Sequence, residues 1–558
     1  MKNKLDVLLK RTIESCFKKG LLTEANLSEY VIEIPKNKDH GHFATNLPLT
    51  LASSQKRPPR EIAEIIADNL NDPENIIEKM DIAGPGFLNF RISDNEWYNV
   101  LKQILIAGED YGRSDMHSKE RVLVEFVSAN PTGPLHLGQG RGAALGDSIC
   151  RILEFRGYEV VREYYINDAG VQVGLLGESV YARWRQLKDP YYPFPENGYH
   201  GEYISDLARE ISGEANLSSM HMEEAIALCT ELGKKKMLEE IKKDLELFRV
   251  KFDYWFNESD LFSKGLVAKS LEEMKEKDEL YESDGALWIR TSSYGDDKDR
   301  VIKKKDGQYT YFASDISYHM DKYKRGFSKA VNIWGADHHG YIQRVKSALK
   351  ANDIDEDWLS ILLIQLVKLW KNGQEVRMSK RTGQYVTMRD LMEEVDVDAA
   401  RFVFLTKTHD SPLDFDVDLV QKQDSDNPVY YVQYAHARIC SIFRKAAAEG
   451  LDINDLSEKD MSLLKLEEEM DLIRFMESFP SFIEEVSISF EAHRLTYFLN
   501  DLASRFHRYF NLGNKISENR IVTENGDLSQ ARLALVGAVR IIIKTGLNLL
   551  GVSAPEKM

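Results

Sequence analysis

The sequence predicts an α/β protein: a Rossmann-type domain carrying an insertion, preceded by an α+β domain and followed by an all-α bundle. Three observations predict it. Residues 121–168 read strand, loop, helix, strand. Short apolar runs then alternate with helical spacing to about residue 390. From about Asp396 onward strand signals disappear and helical periodicity continues.

The α+β domain is expected over residues 1–112. Leu5, Leu8, Leu9, Ile13 and Phe17 recur at helical spacing and predict a core-facing helix. Another is expected from about Leu47, with Pro58 and Pro59 ending that segment, and a third on Ile62, Ile65, Ile66 and Leu70. Gly84, Pro85 and Gly86 mark a tight turn into a strand ending near Phe90.

The Rossmann-type domain is expected over 118–390. Val122, Leu123, Val124, Phe126 and Val127 are too few for a helix and rich in β-branched residues, so they predict a buried parallel strand. Ser128 to Pro134 is loop. Leu145, Ile149, Ile152 and Leu153 predict a helix from about Gly138 to Phe155, closed by Gly157. Tyr158 to Ile166 is the next strand, completing a βαβ unit. The head of that helix offers unpaired N–H groups and partial positive charge, which suit a phosphate. His136 adds a side-chain donor, while Gly138 and Gly140 admit a ligand close to the backbone. Such a turn, taken alone, more often reflects packing.

A charged, mostly helical insertion follows over about 179–277, its Glu and Lys read as a solvated face. Asp284 to Ile289 reads as a turn into a strand, and Ala330 to Trp334 as a strand stopping at Gly335-Ala336-Asp337-His338-His339-Gly340. Ile361 to Trp370 is strand-like and delivers a basic loop, Val376 to Gly383. Doubly wound sheets bind ligands at the carboxyl ends of their strands, so His136, Asp337 to His339 and Lys380 are expected to share one cleft. The bundle, 395–558, is expected to hold helices over Ala399–Thr406, Val429–Ala447, Leu463–Glu485, Ala492–Phe510 and Ser529–Leu550.

Bulk numbers exclude several classes. The 558 residues are too many for one core. A formal charge of −17, from 73 basic and 90 acidic residues, argues against a nonspecific nucleic-acid coat. Cys16, Cys150, Cys229 and Cys440 lie far apart without a CxxC pair, so no protein-held metal and no disulfide framework is expected. The N-terminus lacks a continuous apolar region and no segment suits a membrane, so a cytoplasmic protein without a membrane partner is expected.

Two short motifs point further. His136-Leu137-Gly138-Gln139 and Arg377-Met378-Ser379-Lys380-Arg381 resemble the HIGH and KMSKS signatures of class I aminoacyl-tRNA synthetases. Ser128 to His136, Tyr164 to Gly170, Gly335 to Tyr341 and Tyr431 to Arg438 are similar to the corresponding words of arginyl-tRNA synthetases, in the same order. The likeness runs from near residue 40 to the end. Gln139, Arg377 and Arg381 depart from the usual residues.

The resemblance implies a class I synthetase fold and a monomer that joins arginine to tRNA(Arg) through an arginyl-adenylate. ATP enters with Mg²⁺ on its phosphates, and activation waits on bound tRNA. His136, Lys380 and Gln139 would be catalytic, with Gly138, Gly140, Asp337, His339, Met378 and Ser379 also at ATP. For Asp337 the alternative is a helix cap. The arginine site would comprise Glu125, Ser128, Asn130, Tyr311 and Asp315. Glu125 sits in an apolar strand and requires a cationic partner. Tyr311 and Asp315 would share a helix face at i,i+4 if Tyr311 to Lys322 is helical. Phe43, Asn46 and Phe87 of the first domain, with Tyr431, Tyr434, Arg438, Arg505, Arg508 and Tyr509 of the bundle, would contact tRNA, since aromatic and basic side chains suit unpaired bases. Two rivals stay open: a small-substrate nucleotidyltransferase, and a catalytically impaired tRNA-binding paralogue.

Overall fold

A computed structural model describes residues 1–27, 30–376 and 386–558. Two compact units divide the chain. One comprises residues 1–111, 439–479 and 504–542; the other comprises 112–438, 480–503 and 543–558.

The second unit carries the parallel sheet. Among the described residues it has five strands: β1 (Arg121–Glu125), β2 (Glu159–Ile166), β3 (Tyr254–Asn257), β4 (Lys329–Gly335) and β5 (Leu359–Ile364). Their order is β5-β4-β1-β2-β3 and every neighbouring pair is parallel. The order reverses between β1 and β4, so the crevice above their carboxyl ends is where such a sheet takes ligands. The expected buried run is present: Val122, Leu123 and Val124 are at most 1% exposed. Helix α1 (Leu137–Phe155) crosses this sheet. A Cβ at Gly146 would lie 2.2 Å from the Phe126 ring, so that glycine sets how closely helix meets strand.

Several expectations change. The charged stretch 179–277 is mostly helical, as expected, but it also supplies β3. Ala286–Ile289 joins a separate antiparallel sheet with Leu280–Ser283 and Arg300–Lys303. The run Ile361 to Trp370 breaks at Gln365-Leu366. Gln365 N–H donates to His409 O (2.9 Å), and Leu366 is 74% exposed. Beyond the break, Val367–Lys371 pairs with Gln374–Val376 and with Leu413–Asp416. That last strand lies in a region expected to be wholly helical. Its alternation, with Leu413 and Phe415 buried, is only four residues long. The helix expected over Leu463–Glu485 is two, Glu467–Glu477 and Phe479–Ser489. Pro480, lacking an N–H, fits the first turn of the second and could not continue the first.

The first unit holds an antiparallel sheet ordered Ile32–Glu33, Phe43–Thr45, Phe87–Ile92, Ile77–Ala83. Helix Lys2–Lys18 buries Leu5, Leu8, Leu9 and Ile13, as its spacing predicts. Pro59 does not end a segment; it opens helix Pro59–Asn69, where a missing N–H costs nothing. Among the described residues no helix is long and apolar enough to cross a membrane.

Candidate active site

The chain leaves β1 through a strained turn. Val127 and Ser128 have φ of 66° and 39°, a left-handed conformation that a β-branched residue rarely adopts. Tyr164, fully buried, fixes the next residue from both sides: its hydroxyl accepts from Ala129 N–H (3.0 Å) and donates to Ala129 O (2.9 Å). Ser128 Oγ donates to Glu125 Oε1 (3.1 Å) and accepts from Tyr165 N–H (3.1 Å), which leaves one lone pair for a ligand. Asn130 Nδ2 donates to Gln172 Oε1, so its own carbonyl oxygen is the end that can receive an ammonium.

Glu125 has the cationic partner its surroundings demand. Lys322, 0% exposed, donates to Glu125 Oε2 and to Asn332 Oδ1 (3.0 Å). Lys322 lies on helix α2 (Tyr311–Lys324), which also bears Tyr311 and Asp315. Tyr311 is 67% exposed at the mouth, and its hydroxyl stands 3.5 Å from where a Cβ on Gly170 would be. Asp315 receives the Tyr341 hydroxyl on Oδ2. Burial pushes the Asp315 carboxyl up to about 6, against the Tyr341 hydrogen bond and with the Glu125 charge adding to the rise.

Two carboxylates escaped the sequence reading. Glu258 follows β3 directly, is 6% exposed, and is pushed up to about 7 by burial and by the charges of Asp315 and Asp168. Asp168, beyond β2, accepts from Ser259 N–H (2.9 Å) and Ser259 Oγ (2.8 Å), with Lys234 Nζ at 3.9 Å. The carboxyl ends of β1, β2 and β3 and one face of α2 thus gather Glu125, Asp168, Glu258 and Asp315. Asp168 and Tyr341 stood inside recognisable words; Glu258 carried no local signal, since its place depends on β3 joining the sheet.

At the head of α1, His136 is the N-cap residue, and its N–H donates to Gln139 Oε1 (2.8 Å). Gln139 therefore spends its oxygen on the helix head and keeps its amide N–H₂ as the donor. Gly138 is half-buried with only the His136 ring near its open side. Gly140 is a correction. It is buried, and a Cβ there would meet Met388 and Phe404 at 3.3 Å, so its smallness serves packing instead of ligand approach. Asp337 and His339 lie exposed on the turn Ala336–Tyr341 after β4. The cap alternative for Asp337 fails: Gly335 caps that turn, Tyr341 caps the next helix, and neither cap uses a side chain. Met378, Ser379 and Lys380, with Arg377 and Arg381, lie outside the described residues. The segment that follows them is described: Thr387 forms an antiparallel bridge to His136.

The other candidates divide. Phe43, 3% exposed, stacks on Trp97 (6.5 Å) in the core of the first unit, and Tyr509, 0% exposed, donates to Glu469 (3.0 Å). Neither ring faces outward, so both are corrected to core residues, as aromatic side chains of helices and sheets commonly are. Asn46 is half-buried, its Oδ1 accepting from Val31 N–H (2.9 Å). Arg505 pairs with Asp471 and lies over Phe475 (4.4 Å), whereas Arg508 is exposed. In the second unit Tyr434 stacks on Tyr430 (5.7 Å), and Arg438 lies over Tyr434 (4.5 Å); Tyr431 is half-buried on the same helix, Pro428–Ala448.

Comparison with known proteins agrees along the whole chain. Residues 3–92 match the arginyl tRNA synthetase N terminal domain, 100–414 the class I (R) tRNA synthetase catalytic domain, and 432–558 the DALR anticodon binding domain. An arginine–tRNA ligase of Desulfosudis oleivorans is 47% identical over 562 residues, spanning all of both chains. One from Bacillus licheniformis is 46% identical over 555 residues, 99% of each. The arginyl-tRNA synthetase structure from Thermus thermophilus superposes with a TM-score of 0.74 at 22% identity, over the full length of both chains, and so shares the fold. With matched domains from end to end and relatives this close, the chain belongs to the arginyl-tRNA synthetase family.

Proposed function

We propose that this chain joins L-arginine to tRNA(Arg), with the acidic cavity beyond β1, β2 and β3 as the arginine site and the head of α1 as the phosphate site. It is an ATP-dependent arginine–tRNA ligase. The observation that carries the site reading is the gathering of four carboxylates at the carboxyl ends of β1, β2 and β3 and on one face of α2. A planar guanidinium with five donors is the cation such a cavity fits. Asp315 and Glu258 face the guanidinium, with Tyr311 over its mouth. Glu125, Ser128 and Asn130 take the α-amino end.

The arginine carboxylate then attacks the α-phosphorus of ATP. The bond to the bridging oxygen breaks and pyrophosphate leaves, giving arginyl-adenylate. A ribose hydroxyl at the 3′ end of tRNA next attacks the carbonyl, and AMP leaves. Such chemistry asks the protein mainly for alignment and charge stabilisation. His136, the Gln139 amide and the unpaired N–H groups of α1 provide it together with Lys380, Met378 and Ser379 of the basic motif. Asp337, His339 and Gly138 serve the nucleoside. Mg²⁺ would enter with the ATP phosphates and would supply charge neutralisation there.

Asn46, Phe87, Arg505 and Arg508 in one unit and Tyr431, Tyr434 and Arg438 in the other take tRNA. The three-part division at 1–112, 118–390 and 395–558, the monomer and the cytoplasmic location complete this reading. Charging total tRNA with each of twenty labelled amino acids tests it: only arginine should be incorporated, and incorporation of another or of none would refute it.

A further inference from the structure

One face of α2 runs from exposed Tyr311 to fully buried Lys322. Tyr311, Asp315, His319 and Lys322 follow at steps of four, four and three. From Asp315 to Lys322 is seven residues, about 10 Å along the axis. A continuous hydrogen-bond chain links the two ends. His319 Nδ1–H donates to Asp315 O (2.7 Å), and its Nε2 accepts from Asn332 Nδ2 (2.9 Å). Asn332 Oδ1 accepts from Lys322 (3.0 Å), which also donates to Glu125 Oε2, while Glu125 Oε1 holds Ser128. Burial and the Lys322 charge lower the His319 imidazole to about 3, so the ring stays neutral in the one tautomer that satisfies both neighbours. Asn332 and Lys322 are 0% exposed. The floor beside Glu125 therefore carries a buried, hydrogen-bonded spine.

We propose that Lys322 is a positioning residue that fixes the distance between the two ends of the arginine site and so measures side-chain length. Its ammonium ties Glu125 and the Ser128 turn to the same helix that carries Asp315, with Asn332 and His319 closing the frame. The proposal rests on the arginine-site reading above. A buried pair alone would need only Lys322 and Glu125. The second branch, through Asn332 of β4 and His319 to the backbone of Asp315, anchors α2 to the sheet a second time and so holds its face at one distance from the Ser128 turn, which a counter-charge does not require. Fitted pockets separate homologues differing by one methylene by about 10–200-fold.

The test compares arginine with homoarginine, one methylene longer, in aminoacylation by the full-length enzyme with tRNA. Lys322→Met is expected to raise the KM for arginine on the order of tenfold or more and to bring the arginine-to-homoarginine ratio of kcat/KM toward unity, with the KM for ATP unchanged. A variant that melts earlier yet keeps the parent ratio would show Lys322 to be a mere core counter-charge and overturn the proposal. Should Lys322→Met fail to fold, Asn332→Ala cuts only the branch to His319 and must still reduce the ratio; an unchanged ratio overturns the proposal equally. Asp315→Asn separates the two readings. If it leaves arginine affinity intact, Asp315 does not hold the guanidinium and the reading of the two ends of the arginine site falls; if it weakens arginine while both spine variants keep the ratio, only the length-measuring role falls.

Discussion

Thr387 lies antiparallel to His136 as an isolated β-bridge, and the next residue, Met388, donates its N–H to Leu135 O (2.7 Å). The chain that follows the basic motif is thereby stitched to the residue that caps α1. His136→Ala and Lys380→Ala are each expected to lower adenylate formation about 10²-fold or more with arginine affinity nearly intact. ATP–pyrophosphate exchange with tRNA present measures this; parent turnover in either variant removes that residue from the site.

Gln139 is expected to accept histidine. Its present role, receiving the His136 N–H, is one an imidazole nitrogen can also fill. Gln139→Ala should cost about 1 kcal/mol of stability by undoing that cap and should slow adenylate formation. Thermal unfolding beside exchange assays would reveal whether the two effects part company.

Asp315→Asn is expected to weaken arginine by on the order of 2–5 kcal/mol while leaving ATP affinity alone, because a buried guanidinium loses a charged partner. Tyr341→Phe removes the hydroxyl that Asp315 accepts and should cost about 1 kcal/mol in arginine binding. Calorimetric titration gives both numbers. An unchanged Asp315→Asn dissociation constant would transfer guanidinium recognition to Glu258.

Arginine binding should release protons. The Asp315 and Glu258 carboxyls are raised to about 6 and about 7. Between about pH 4 and 7 the folded enzyme therefore holds more protons at these groups than the unfolded chain, and their contribution to stability declines as pH rises. A guanidinium favours the ionised pair, so it displaces those protons and restores stability. Titrations in buffers of different ionisation enthalpy should report release near about pH 6.5 and almost none near about pH 9, with the KM for arginine rising on acidification. Binding heats independent of the buffer at the lower pH would contradict the assignment.

Exchange is expected to require cognate tRNA, as the family resemblance implies. Truncation is a poor probe of that coupling. Buried Arg401 holds Asp147 of α1 together with the carbonyls of Phe248 and Leu550, and Arg141 of α1 donates to Thr408 O (2.7 Å) and Ser411 O (2.8 Å). Removing residues after about Val395 would strip these partners, leaving Asp147 with Arg151, and Arg141 with the Gln365 carbonyl. Omission of RNA from the full-length enzyme is the cleaner measurement, and vigorous exchange without it would end the coupling idea.

Local chemistry by itself determined the βαβ unit at 121–166, the core-facing helix at the N-terminus and the need of Glu125 for a cation. Each depends on residues a few positions apart: a β-branched run, an apolar repeat, a carboxylate among apolar neighbours. The motif words around His136 and Lys380 determined the family. Tertiary structure decided the rest. Glu258 joins the cavity only because Tyr254–Asn257 pairs with β2, although helices flank it on both sides in sequence. Lys322 is 197 positions from Glu125, and nothing in either neighbourhood names the other. Phe43, Tyr509 and Gly140 went the opposite way, since residue type cannot say whether a ring or a missing Cβ faces solvent or a packed neighbour. Contacts between distant segments follow from which apolar faces bury each other, and that free energy belongs to the assembled core, where no short window of sequence holds it.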